Sequence, residues 1–204
     1  SEELSFDNVV VPEDKPQVVY PKRLTAGNHK VKVTKVEKAT NATAGTPCLD
    51  ITVEDELGAF CTNRYQLSTE VKVNAKGEEF SSWSITSLAI LYLVQAANKV
   101  DEAGAKAKLK GMTMDNLDTK LSSVLVGKLF GINLKGEHKP NTDITKDSWI
   151  KVEFGGWHFA RPIEEFDKLP KSVYIKGIPV KGTLTHDANG GISTEKPKGD
   201  DLPW

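Results

Sequence analysis

The chain has 204 residues, 38% hydrophobic and 27% charged, enough to bury one sizeable core or one core with a large insertion. Its formal net charge of −1 excludes a protein that holds nucleic acid by bulk charge, so any site for a polyanion must come from local segregation of basic residues. Two cysteines, Cys48 and Cys61, with no CxxC pair and no histidine at ligand spacing, predict a reduced compartment, no zinc and no cofactor.

Residues 1–21 carry Pro12, Pro16 and Pro21 behind an acidic lead of Glu2, Glu3, Asp7, Glu13 and Asp14, and read as an extended N-terminal arm. The sign of the charge then reverses. Lys22, Arg23, Lys30, Lys32, Lys35 and Lys38 face only Glu37 across residues 22–40. From Gly27 the pattern has period two: Val31 and Val33 alternate with Lys30, Lys32 and Thr34, and after a turn-rich stretch at 40–47, Leu49, Ile51 and Val53 alternate with Asp50, Thr52 and Glu54. Leu57-Gly58 turns the chain into a third run, 59–67. The economical reading is a three-strand antiparallel meander.

The centre changes period. Ile85, Leu88, Ala89, Tyr92 and Ala96 fall at helical spacing, as do Leu117, Leu121, Val124 and Leu125, which predicts a two-helix insertion over about 82–127. Asp115 marks a helix start and Gly127 a stop. Strand alternation returns with Phe130, Ile132 and Leu134, and again with Ile150, Val152 and Phe154. Beyond Gly155-Gly156, a C-terminal extension over about 160–193 holds a short strand-like run at 172–178 and a turn at Asn189-Gly190-Gly191. Residues 194–204, rich in Lys, Pro, Gly and Asp, have too little apolar surface to order by burial and read as a disordered tail.

Three strands, a helical connection and two more strands predict a mainly β fold with an α insertion: a five-stranded Greek-key OB-fold barrel at 22–193, with the helices between strands three and four. A β-sandwich competes, but sandwiches are usually poor in helix. The longest apolar stretch, 88–94, is too short to span a bilayer, and the N-terminus is acidic where a signal peptide is basic, so a soluble cytoplasmic protein with no membrane association is expected. No GxxxxGK[ST], HExxH or GxSxG occurs, the four histidines are scattered, and Glu54-Asp55-Glu56 reads as a solvated hairpin tip. No enzyme is expected.

Gly27 to Val33, Gly45-Thr46-Pro47 leading into Leu49 to Val53, Gly58 to Leu67, Gly127-Lys128 and the terminal Asp200-Asp201-Leu202-Pro203-Trp204 together resemble phage-type single-stranded-DNA-binding proteins with an OB-fold. The resemblance covers roughly residues 24–67, 127–155 and the tip; the segment 160–195 has no counterpart in it. It implies a protein that coats single-stranded DNA in phage replication, recombination and repair, with the acidic tip recruiting replication and recombination proteins rather than binding DNA.

Such binding needs rings for bases to stack on and cations along a groove for phosphates. If Cys61, Tyr65 and Leu67 face inward, Phe60, Thr62 and Arg64 face out, and core Ile150, Val152 and Phe154 leave Trp149 and Lys151 projecting together. The candidate DNA contacts are therefore Lys30, Lys32, Phe60, Arg64, Trp149, Lys151, Trp157 and Arg161, and the partner-binding tip is Asp200, Asp201, Leu202, Pro203 and Trp204. The competing assignments are a Trp149 packed under its loop, a solvated face of lysines at Lys30 and Lys32, and Trp157 and Phe159 covering the barrel bottom. Trp83 reads as a core residue. The rival function is a β-barrel adaptor or virion-associated module whose exposed aromatics bind protein or glycan, and oligomeric state stays open.

Overall fold

The computed structural model describes residues 22–139 and 150–171 and, farther on, three short strands. The arm at 1–21, Trp149 and the tip at 200–204 lie outside the described residues. Three long strands open the fold: β1 (Gly27–Thr40), β2 (Pro47–Glu54) and β3 (Phe60–Gln66). They pair antiparallel in sequence order, as the alternation predicts. Val31, Val33, Leu49, Ile51, Val53 and Cys61 point into the core. The alternation in β1 slips once, between Val33 and Lys35, where a bulge leaves both Thr34 and Lys35 exposed and returns Val36 to the core. Lys22 and Leu24 extend the sheet beyond β3: the Phe60 N–H donates to Lys22 O at 3.0 Å and the Leu24 N–H to Phe60 O at 2.8 Å.

A small hairpin, β4 (Lys72–Val73) with β5 (Glu79–Phe80), follows β3. Two-residue strands carry no periodicity to read. The signal present in the sequence is its turn, where Asn74 Oδ1 accepts from the Lys76 and Glu78 N–H groups and Gly77 takes φ 80°.

The helical stretch contains α1 (Ser82–Asn98), α2 (Glu102–Lys108) and α3 (Leu117–Leu125), one more helix than the spacing predicts. The additional one is α2, over the Ala-Lys-rich run, started by the Asp101 side chain accepting from the Gly104 N–H at 2.8 Å. α1 begins with a reciprocal box in which Ser81 and Ser84 each accept from the other's backbone N–H at 3.1 Å. Its buried face is rotated from the expected one. Of the expected face, Ala89, Tyr92 and Ala96 are buried, joined by Ile90, Leu93, Val94 and Ala97, whereas Ile85 and Leu88 are 59% and 43% exposed. Residues 88–97 are apolar nearly all round, so spacing by itself does not select the face that packs. Trp83 packs against the core as expected, and Leu117, Leu121 and Leu125 of α3 are fully buried.

β6 (Leu129–His138) then pairs antiparallel with β1 on one side. On its other side lie β7 (Ile150–Phe154) and β8 (Ala160–Pro162), end to end along the same strand. Residues 155–159 loop out between them. A 3-10 helix, Ile163–Lys168, turns back over β6. β9 (Ile175–Lys176) adds to β6 in parallel, and β10 (Thr183–His186) pairs with β11 (Ile192–Glu195) in a separate ladder. Thr194 and Glu195 therefore belong to a strand, two residues past the predicted start of the tail; the remainder of the tail, 196–204, lies outside the described residues.

The chain is mainly β with a few helices, and its main sheet is open. The path runs β3-β2-β1-β6-β7. Its ends, β3 and β7, share no backbone ladder among the described residues; Asn63 Oδ1 accepts from the Phe154 N–H at 3.0 Å, and the Cys61 thiol meets Val152 O at 3.7 Å. Burial pushes the Cys61 thiol up to about 11, so it stays protonated. No helix among the described residues is long and apolar enough to cross a membrane.

The loop at 155–159 supplies a paired test. A Cβ on Gly155 would lie 2.8 Å from Asn133 Oδ1 and 2.9 Å from both Asn133 O and Phe159 Cβ, whereas one on Gly156 would meet nothing within 4 Å. Gly155→Ala is predicted to lower unfolding free energy by about 1–3 kcal/mol, and Gly156→Ala to stay within about 0.5 kcal/mol of the parent, both read from urea titrations. Equal stabilities would contradict the close approach.

Candidate nucleic-acid interface

Cross-strand register decides which side chains share a face, because opposite residues of an antiparallel pair project to the same side. Glu54 is opposite both Phe60 on β3 and Lys32 on β1. Gly131 is opposite both Lys30 on β1 and Arg161 on β8. Phe60, Glu54, Lys32, Lys30, Gly131 and Arg161 therefore lie on the outer face of the sheet, in two adjacent rows. At a strand spacing of about 4.8 Å, Phe60 and Gly131 are about 14 Å apart across the sheet.

Two rings flank this band. Phe60, half-buried at the β3 edge, lies under the Arg23 guanidinium at 5.3 Å. Phe166, from the 3-10 helix, occupies the space that a side chain at position 131 would need, its Cδ2 lying 2.7 Å from where a Cβ would stand. Lys30 Nζ sits over this second ring at 5.3 Å. Sequence reasoning missed Arg23 as a principal contact and Phe166 altogether, because their partners are distant in sequence.

Ion pairing separates the expected cations. Arg64 does face outward as the strand register predicts, but it forms a bidentate pair with Asp50 at 2.6 and 2.7 Å. Lys151 is held by Glu153 at 2.7 Å, and this hydrogen bond raises its pKa. Lys35 pairs with Glu37 at 2.9 Å. Arg23, Lys30 and Lys32 make no ion pair among the described residues. Glu54 is the carboxylate inside the band, between Phe60 and Lys32. Thus Lys30, Lys32 and Phe60 come together with Arg23 and Phe166, while Arg64 and Lys151 are matched to carboxylates elsewhere on the sheet. The pairing of Trp149 with Lys151 lies outside the described residues.

Arg161, at the edge of the sheet, also lines a groove beside the loop that carries Trp157. The 155–159 loop carries Trp157 to the surface, 69% exposed, and buries Phe159. The competing assignment, in which both rings pack, thus holds for Phe159 and not for Trp157, because the loop turns between them. His158 takes φ 46°, a left-handed conformation rare outside glycine and asparagine. Its ring lies 4.7 Å from Tyr92 and 4.8 Å from Trp157. Rings continue inward from there: Tyr92 to Phe159 at 6.1 Å, Phe159 to Phe154 at 5.8 Å, and Phe154 to Tyr65 at 6.3 Å. Between α1 and β8 lies a groove of about 390 Å³ whose walls include Tyr92, Gln95, Lys99, His158, Arg161 and Glu165. Lys99 is ion-paired to Glu164 across it.

No protein-family model and no curated protein sequence matches this chain.

Burial, with Arg161 as the lesser cause, lowers the pKa of His158 below the ordinary 6.5. The unfolded chain then binds a proton that the folded chain resists, so this contribution to stability is complete above pH 6.5 and is lost as pH falls below it toward the folded value. His158→Asn, which tolerates the backbone conformation and does not titrate, is predicted to show a shallower loss of melting temperature between about pH 7 and 5.5. Parallel slopes for the two proteins would contradict it.

Proposed function

We propose that the protein binds single-stranded DNA across the outer face of its sheet without reading sequence. The observation that carries this reading is the placement of the unpaired cations: Arg23, Lys30 and Lys32 lie in one band, and two of them cover rings. Phosphates need cations that are not already neutralised, and bases need flat apolar faces beside them; sequence-tolerant single-strand sites combine the two. A chain entering here exchanges the guanidinium and ammonium groups above Phe60 and Phe166 for stacked bases, and the displaced cations move to phosphate.

The strand order supports the same reading. The path β3-β2-β1-β6-β7, with helices between β3 and β6, matches the strand order expected of an OB-fold, with the sheet left open between β3 and β7, where the Cys61 and Asn63 side chains reach β7. In that fold the face of the second and third strands with its neighbouring loops takes oligonucleotides. The resemblance to phage-type single-stranded-DNA-binding proteins adds the role of coating DNA during replication and recombination. It also gives the acidic tip, Asp200 to Trp204, the task of recruiting partner proteins. The function is binding, not catalysis. A second reading, an adaptor for protein or glycan, draws on the exposed Trp157, Ile85 and Leu88; a protein that ignores oligonucleotides at low salt would favour it.

Phe60→Ala is expected to weaken binding of a fluorescent oligonucleotide by about 1–3 kcal/mol, the value of one stacked base. Lys32→Ala is expected to reduce the slope of log affinity against log salt by about 0.7, one phosphate contact on a single strand. Glu54→Gln removes the carboxylate inside the band and should tighten binding. A folded Phe60→Ala protein with parental affinity sinks this assignment of the face. Deleting 200–204 should leave DNA affinity at or slightly above the parental value while abolishing retention of replication or recombination proteins from a cell extract. Loss of DNA binding on that deletion would place the tip in the DNA site instead.

A further inference from the structure

The groove between α1 and β8 has the size of a site for one small ligand. Trp157 contacts two of its lining residues, the indole held edge-on against Tyr92 at 6.2 Å and His158 at 4.8 Å, so the ring is oriented while 69% of the residue remains exposed. In the groove wall, the Arg161 Nε is shielded from solvent and has no hydrogen-bond partner. The only ion pair of that guanidinium among the described residues is a long contact of 3.9 Å to Glu165, and Glu165 is itself held by Lys168 at 2.8 Å. A flat surface and an under-neutralised guanidinium at one groove call for a ligand with a planar ring and an anionic group. That is the chemistry of a nucleotide unit.

The 3-10 helix borders both the groove and the sheet face. Phe166 lies on the sheet side over Gly131, and Glu164 and Glu165 line the groove side. Both carboxylates are matched to cations, Lys99 and Lys168, whose hydrogen bonds hold their pKa values below the ordinary range. A phosphate chain crossing on the groove side therefore meets paired carboxylates at Glu164 and Glu165, whereas Asp167 of the same helix is exposed and has no ion pair among the described residues.

We propose that this groove is a second nucleotide subsite, in which one unit of the strand crossing the sheet face stacks its base on Trp157 and sets its phosphate on Arg161. The proposal rests on the single-stranded-DNA reading and lengthens the bound path beyond the sheet.

The test compares oligothymidylates of about 4 and about 12 nucleotides, spanning the low end and the upper part of the range seen for one small β-barrel fold, by fluorescence anisotropy. The parent should bind the longer one more tightly. Trp157→Ala removes an exposed ring and leaves the core intact; it should lose about 5- to 150-fold in affinity for the longer oligonucleotide and keep parental affinity for the shorter. Arg161→Gln should behave alike and also lower the salt slope for the longer one by about 0.7, with the slope for the shorter unchanged. Phe60→Ala should lose affinity at both lengths. Parental affinity of Trp157→Ala for the longer oligonucleotide, or an equal loss at both lengths, overturns the second subsite while leaving the sheet face standing. A parent protein that binds neither length overturns the single-stranded-DNA reading, and the subsite falls with it.

Discussion

Asn133, in the middle of β6, is the residue through which the sheet, the loop and the exposed tryptophan are connected. Its backbone N–H donates to Phe159 O at 2.7 Å, its backbone O accepts from the Gly155 N–H at 2.9 Å, and its side-chain amide donates to Asn28 Oδ1 on β1 at 2.8 Å. One residue thus closes both ends of the 155–159 loop and ties them to the neighbouring strand. Because the ladder is satisfied at Gly155 and Phe159, the residues between are free to leave the sheet without orphaning its hydrogen bonds. Phe159 returns to the core, and Trp157 is left outside. The strand that would otherwise run unbroken becomes β7 and β8, with a surface device between them.

Charge pairing leaves a local basic band on a chain of almost zero net charge. Many basic side chains on the sheet and helices have a carboxylate within reach: Arg64 has Asp50, Lys151 has Glu153, Lys35 has Glu37 and Lys38 has Asp118. Exposed pairs of this kind add little stability, but each removes a cation from the field that a polyanion would meet. What remains on the sheet face among the described residues is the short band at Arg23, Lys32 and Lys30. The Lys30 end of the band depends on Gly131 having no side chain: its absence admits Phe166, which in turn gives Lys30 a ring to cover.

The aromatic residues show the same division between packing and display. Tyr65, Phe154, Phe159 and Tyr92 form a chain of edge and tilted contacts from β3 through the core to α1. Trp157 and His158 are the outer end of that chain. An indole held this way loses little rotational freedom on binding, which is the advantage of a ring mounted on a rigid core over one on a long loop.

Local pattern alone settled the five long strands and two of the helices. Period-two alternation at 31–33, 49–53 and 130–134 makes one face apolar, and burying that face fixes both the strands and the inward residues, since a one-residue slip would expose every core side chain. The same alternation correctly turned Phe60 and Arg64 outward. It could not tell that Arg64 would be neutralised, because Asp50 is 14 positions away and only pairing of β2 with β3 makes them neighbours. α1 shows the limit in another form: a run apolar on nearly every side contains no local information about which side meets the sheet, so Ile85 and Leu88 ended up exposed. Arg23 over Phe60, Lys30 over Phe166 and the groove at Arg161 are contacts between segments far apart in sequence. They follow from strand register and from the turn of the chain at 155–159, which only burial of the whole core could decide.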